Sequence, residues 1–206
     1  MNIFFDLDGT LIDSRQRLYR LFQHLAPQSN FSFDQYWFLK RSQMNHASIL
    51  KQFFDFNDSE INSFENKWMK LIEDEQYLKF DKPFEGVSDY LKSLKSKGFS
   101  LYLVTARQLK RRTLSQIDNF GWSELFQNIL VTEQKVTKTS LIKPYLEFGN
   151  ENWIIGDTGK DIEAGNILMI NTIGVLSGFL SEHCLKKYSP NRIVNSVLDF
   201  NPLVQS

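Results

Sequence analysis

Three apolar residues, Ile3-Phe4-Phe5, run straight into Asp6-Leu7-Asp8-Gly9. The run is of strand type, and a glycine after two acids lets the chain turn sharply. In an unbroken strand Asp6 and Asp8 would project to the same face, because side chains alternate. A strand that ends near Asp6 puts both acids at its carboxyl end, the edge of an open parallel sheet where ligands bind. Two carboxylates this close repel unless a cation or a shared proton relieves them, and oxygen ligands of this kind suit a hard ion, Mg²⁺ above all. An ordinary acidic turn gives the same bare Asp-x-Asp-Gly pattern, since Asp and Gly are common turn residues. A calcium-binding EF-hand loop does not fit. It needs an acid or amide at its fifth position and Glu at its twelfth, where Thr10 and Arg17 stand.

Beyond this loop the apolar period becomes helical. Leu18, Leu21, Phe22 and Leu25 share one face; residues 33–39 and the set Ile49, Leu50, Phe53 and Phe54 predict two more helices. Asn57 and Glu60 have capping-box spacing ahead of the stripe Ile61, Phe64, Trp68, Leu71 and Ile72. Residues 15–80 are therefore expected to be all-helical, their aromatics forming the core of a small bundle. Pro83-Phe84-Glu85-Gly86 turns the chain back. From there strands are expected at 99–104, 129–131, 153–155 and 172–176, with an edge strand at 193–194. Helices are expected between them, including one over 139–148 entered at Lys138, a short one near Leu180 and a last turn near Val197. Alternating strands and helices predict an α/β fold with a Rossmann-like parallel sheet. Its core would be residues 1–14 and 81–206, with a helical cap, residues 15–80, inserted after the first strand. Right-handed crossovers collect the strands' carboxyl ends on one edge, so Asp6, Asp8, Thr105 and Asp157 should meet in one crevice.

Composition narrows the function classes. Of 206 residues 42% are hydrophobic, enough for a sizeable core. Lys+Arg and Asp+Glu both number 24, and no basic run occurs, which argues against a nucleic-acid partner. The single cysteine, Cys184, forms no internal disulfide or thiolate cluster. No signal peptide is evident, and no apolar stretch approaches the roughly 20 residues that span a bilayer. A cytoplasmic protein without a membrane partner, monomeric or homodimeric, is the expectation. His24, His46 and His183 lack metal-ligand spacing; His46, in the cap, is the one that could touch a substrate.

Single residues have plain readings of their own. Thr105 fits a helix N-cap, Lys138 a solvated lysine, and Asp157 with Asp161 capping and first-turn acids. Taken together, however, Phe5 to Ser14 (Phe-Asp-Leu-Asp-Gly-Thr-Leu-Ile-Asp-Ser) resembles the first motif of the haloacid dehalogenase superfamily. Gly156 to Gly165 (Gly-Asp-Thr-Gly-Lys-Asp-Ile-Glu-Ala-Gly) resembles a later motif of the same superfamily. Thr172 to Gly178 is similar to the segment that follows in its phosphoglycolate-phosphatase-like branch, which carries a helical cap. The likeness covers essentially the whole chain.

That resemblance implies Mg²⁺-dependent phosphatase activity on a small phosphorylated metabolite. Asp6 would be the nucleophile, forming an aspartyl-phosphate, and Asp8 the general acid and base. Such an acid should have a raised pKa and be partly shielded by the cap. Mg²⁺ would be held by Asp6, the backbone carbonyl of Asp8 and Asp157, with Asp161 ordering metal-bound water or Lys138. Thr105, the Ala106 N–H and Lys138, in preference to Lys135, would bind the phosphoryl oxygens. Two features depart from the family pattern. Ala106-Arg107 follows Thr105 where Asn is commoner, leaving Arg107 to bind a second substrate charge or pair with a surface acid. The lysine also lacks the usual Lys-Pro frame. A phosphomutase or phosphotransferase using the same Asp pair is the nearest alternative, and a non-catalytic phosphoacceptor or binding module is the alternative from another class.

Overall fold

The computed structural model describes residues 1–146 and 149–203. The chain begins with β1 (Asn2–Phe5), whose four side chains are all buried, as a strand covered on both faces requires. The acidic loop leads to β2 (Ile12–Asp13) and then to α1 (Arg15–Leu25), α2 (Phe33–Arg41), α3 (His46–Phe54), α4 (Asp58–Leu71) and α5 (Glu75–Leu78). Next come β3 (Lys82–Pro83), α6 (Val87–Ser96), β4 (Ser100–Thr105), α7 (Lys110–Asn119), β5 (Asn128–Val131) and α8 (Lys138–Ile142). The chain continues through β6 (Asn152–Gly156), α9 (Gly159–Leu168), β7 (Asn171–Val175), α10 (Glu182–Lys186) and β8 (Arg192–Val194).

Six strands form one sheet in the order β5-β4-β1-β6-β7-β8, every neighbouring pair parallel. From β1 the chain moves to β4 and β5 on one side, then returns across β1 to add β6, β7 and β8 on the other. The order reverses between β1 and β6, and a crevice opens outside the carboxyl ends at such a switch point. Alternation along β1 feeds both faces. Ile3 and Phe5 join Leu91, Ile117, Trp122 and Ile173 on one side, and Phe4 joins Val104, Leu130, Ile142 and Ile154 on the other. A fully buried phenylalanine such as Phe4 or Phe5 contributes about 1.5–3 kcal/mol by leaving water.

Helices α1 to α4 have a core of their own, built from Phe22, Tyr36, Trp37, Ile49, Leu50, Ile61 and Phe64. Phe22 lies at its centre, with ring centroids 4.8 Å from Tyr36 and 6.0 Å from Phe64. The Asn57/Glu60 capping box forms, with the Glu60 N–H 3.1 Å from Asn57 Oδ1 and the Asn57 N–H 2.9 Å from Glu60 Oε2. Among the described residues no helix is long and apolar enough to cross a membrane.

Two local features differ from the sequence reading. β2 and β3 pair antiparallel, Ile12 with Pro83 and Asp13 with Lys82; two-residue strands are too short to show a period. The helix expected over 139–148 stops at Ile142 and passes into a 3₁₀ turn, Lys143–Tyr145. Pro144 lacks the N–H that would continue an α-helix. Phe148, the expected end, lies outside the described residues.

Candidate active site

The Asp6 N–H donates to the Ile155 carbonyl across 2.9 Å, continuing the β1–β6 ladder, so its side chain emerges at the switch point. Lys138, the first residue of α8, reaches the same point. Its buried ammonium is bonded to Asp6 Oδ1 and lies 2.5 Å from Asp161 Oδ1. Lys135 is exposed. The second Asp161 oxygen accepts from the Thr158 N–H at 3.1 Å and the Thr158 hydroxyl at 2.7 Å, closing a capping box at the start of α9. Asp157, just past β6, is fully buried. Its Oδ2 accepts from the Phe179 N–H at 2.6 Å, while its Oδ1 has no hydrogen-bond partner among the described residues.

Glycines make room for these acids. A Cβ on Gly178, or on Gly9 at φ +84°, would overlap the Asp157 carboxylate, and one on Gly156 would overlap Asp161. One carboxylate oxygen each from Asp6, Asp157 and Asp161 lie within 4.8 Å of one another. Burial, aided by the Asp161 and Asp8 charges and only partly offset by Lys138, pushes Asp6 up to about 7. Burial, then the Asp6 and Asp161 charges, pushes Asp157 well above the carboxylate range. A buried, unpartnered carboxylate oxygen beside two more acids is unfavourable as it stands. A hard divalent cation would relieve it, and the all-oxygen donor set fits Mg²⁺.

Asp8 has a different environment from the one expected of it. Arg107 binds it in fork geometry, Nε to Oδ2 and Nη2 to Oδ1, both at 2.9 Å. Arg17 of α1 also pairs with Oδ1. Burial would raise Asp8, but the two guanidiniums outweigh it and hold the carboxyl well below the usual range. The expectation of a raised pKa is thus overturned by Arg107 and Arg17, while the expected shielding holds, with Arg17 of residues 15–80 lying against the carboxylate. The same two arginines share the buried Asp81, Arg17 Nε at 3.1 Å and Arg107 Nη2 at 3.0 Å. Gln116 completes the cluster, accepting from Arg107 Nη1 at 2.5 Å and donating to Asp81 at 3.0 Å. All three Arg107 nitrogens therefore have acceptors within the protein, and its acid partners are buried or half-buried rather than surface acids.

Asp6, Asp8, Thr105, Ala106, Arg107 and Lys138 line one cavity of about 380 Å³. Asp157 and Asp161 lie beneath it. Helix α4 and the residues after it form its roof through Met69, Ile72 and Glu73. The Glu73 carboxylate accepts from the Gln108 N–H at 2.6 Å and the Leu109 N–H at 2.9 Å, a helix N-terminus where an anion is favoured. Arg17, Asp81, Glu73, Gln108 and Gln116 were not singled out for the site from sequence. Arg17 is buried although it is a lone cation on an amphipathic helix, which its sequence position does not reveal. His46 is packed away from the cavity against Trp68 and Phe22, with its Nε2 2.9 Å from the Tyr36 hydroxyl.

The model of the haloacid dehalogenase-like hydrolases matches residues 3–175. The chain belongs to that family. Its curated relatives include pyrophosphatase PpaX of Oceanobacillus iheyensis, 24% identical over 98% of this chain and 95% of the relative. Phosphoglycolate phosphatase of Aquifex aeolicus is 26% identical over 86% of this chain and 85% of its own. Among solved structures, a candidate phosphatase from Clostridium difficile superposes with a TM-score of 0.78 at 21% identity, covering 95% of this chain and 94% of that one. The six-stranded parallel sheet with flanking helices is the fold of this family.

Proposed function

We propose that this family member hydrolyses a small phosphomonoester through an aspartyl-phosphate on Asp6, with residues 15–80 as the cap over the site. The observation that carries the reading is the placement of Asp6 at the cavity floor, bonded to Lys138 and next to the unpartnered oxygen of Asp157. Asp6 Oδ2 is the oxygen left for attack on phosphorus, since Oδ1 is bonded to Lys138. The Lys138 ammonium, kept charged by Asp161 and Asp6 against its burial, would hold a phosphoryl oxygen together with Thr105 and the Ala106 N–H. Mg²⁺ would be held by Asp6, Asp157 and the Asp8 backbone carbonyl, with Asp161 supporting Lys138. Bound there, it would offset the charge that builds between an anionic nucleophile and an anionic phosphoryl group. Asp8, held anionic by Arg107 and Arg17, is in the form that takes a proton from the water hydrolysing the intermediate. To protonate the leaving oxygen first, it must acquire a proton, and the substrate monoanion is a source.

The test is phosphate release from a panel of small phosphomonoesters, with Mg²⁺ and with EDTA, for the wild type and Asp6→Asn. Metal-dependent release that vanishes in the variant supports the reading. Release that survives Asp6→Asn, or a labelled aspartyl-phosphate that forms and is never hydrolysed, overturns it.

A further inference from the structure

Residues 176–181, between β7 and α10, are held from both sides of the site. Towards the sheet, the Ser177 hydroxyl donates to the Gly9 carbonyl of the acidic loop across 2.7 Å, and the Phe179 N–H donates to Asp157 Oδ2. Towards the helical unit, the segment meets α2. The Arg41 guanidinium donates to the Leu176 carbonyl at 3.2 Å, and the Ser181 N–H donates to the Arg41 carbonyl at 3.4 Å.

Phe179 combines both attachments in one residue. Its ring packs against the aromatic core of α1 to α4, with its centroid 5.3 Å from that of the buried Trp37. The next residue, Leu180, packs instead with Ile162 and Leu185 of the sheet domain. The ring of Phe179 thus belongs to one core while its N–H holds an acid of the other. Close-packed interiors transmit a displacement rather than absorb it. The backbone here has no slack either, since Gly178 lies so close to the Asp157 carboxylate that a Cβ would overlap it. With Oδ2 taken by the Phe179 N–H, Oδ1 is the Asp157 oxygen left for a cation. Where that N–H stands depends on where the ring is seated.

We propose that Phe179 is a positioning residue that couples the helical unit to the metal site. Seating of its ring against Trp37 fixes the N–H that orients Asp157, so Mg²⁺ affinity and the packing of α2 on residues 176–181 rise and fall together. This deepens the reading of Asp157 as a metal ligand and rests on it. Coupling of this kind is reciprocal: Mg²⁺ at the acids should in turn tighten the contact between α2 and the segment.

The test is calorimetric titration with Mg²⁺ alone, without substrate, because Phe179 also lines the cavity over Asp6. Phe179→Ala and Trp37→Ala should each raise the Mg²⁺ Kd about fivefold or more, the lower end of such couplings. The double variant should bind no more weakly than the weaker single one, as a shared contact requires. Phe179→Tyr keeps the ring and should bind close to wild type, while Phe179→Leu, which keeps apolar bulk for folding, should fall between. Leu94→Ala removes buried packing from the sheet domain. It should unfold more readily yet keep the wild-type Kd, which separates the coupling from a general loss of stability. In the other direction, Mg²⁺ should slow hydrogen exchange at the Ser181 amide in the wild type and not in Trp37→Ala. A Kd unchanged in both Phe179→Ala and Trp37→Ala, with binding still abolished by Asp157→Asn, overturns the coupling and leaves the metal reading intact. Mg²⁺ binding that is absent from the wild type, or that survives Asp157→Asn, overturns the metal reading and the coupling with it.

Discussion

Arg107 and Asp8 meet edge to edge, with two nitrogen–oxygen distances of 2.9 Å. The guanidinium fork matches the carboxylate in a way an ammonium cannot. The pair spans the chain from the loop after β1 to the loop after β4, and Asp81 and Arg17 bind it on the cap's side. Asp8 is therefore oriented by side chains from two separate segments, and Asp81 braces both arginines.

Removal of Arg107 should be costly, since it takes from the buried Asp81 one of the two cations that share it. Arg107→Ala is expected to lose about 3–5 kcal/mol of stability, the usual cost of breaking a buried pair. Arg107→Lys should retain part of it, because an ammonium cannot reproduce the two-pronged fork on Asp8. Urea unfolding measures both, and a loss under about 1 kcal/mol for Arg107→Ala would show that the network contributes little.

Mg²⁺ should stabilise the protein by binding the folded state, by about 2.7 kcal/mol at a hundredfold excess over Kd. Asp157→Asn should abolish most of that gain, and Gly178→Ala should do the same by pushing Asp157 aside. The gain should also shrink as pH falls through about 7, where a proton on Asp6 competes with the cation. Thermal melts with and without Mg²⁺ at several pH values decide this; an Mg²⁺ shift unchanged in Asp157→Asn would refute it.

His46 makes the helical unit acid-sensitive. Burial first, and then the Lys40 charge, hold its imidazole well below the ordinary value, so the folded state prefers it neutral. Its contribution is complete above the unfolded pKa of about 6.5 and is lost as pH falls below that value. His46→Leu should flatten the stability–pH slope below about 6.5 by up to 1.36 kcal/mol per pH unit. Acidification from neutral pH should therefore lower the wild-type denaturant midpoint more than that of His46→Leu.

Glu73 joins the segment between α4 and α5 to the start of α7. Glu73→Ala should cost about 0.5–2 kcal/mol, as loss of a capping side chain does. The change should appear locally as faster hydrogen exchange at the Gln108 and Leu109 amides. Exchange at those two amides equal to wild type would rule the contact out in solution.

Much of this arrangement is written locally. β1, β4, β6 and β7 are apolar runs of strand length, and Asp6 and Asp157 each follow one at a turn, so topology alone brings them together. Lys138 stands at a helix entrance close behind β5, which led to its preference over the exposed Lys135. The Arg17–Asp8–Arg107–Asp81 cluster left no comparable trace. Its members pair across separations such as 99 residues between Asp8 and Arg107, and a single charged residue has no period to betray its burial. The same limit hid the true setting of Asp8. Its motif announces a reactive acid, while its protonation state depends on two arginines that belong to no motif.

The β2–β3 ribbon sets the chain's entry to the helical unit beside its exit, Asp13 against Lys82. Everything between them is therefore a side loop on the path of the sheet, however large. A tight turn joining those two residues would close the α/β core without rethreading a strand, and in the same step remove the roof, Lys40 and Arg17. The helical segment is thus an excursion whose two ends the ribbon holds together, and Arg17 and Glu73 tie it to the sheet domain a second time.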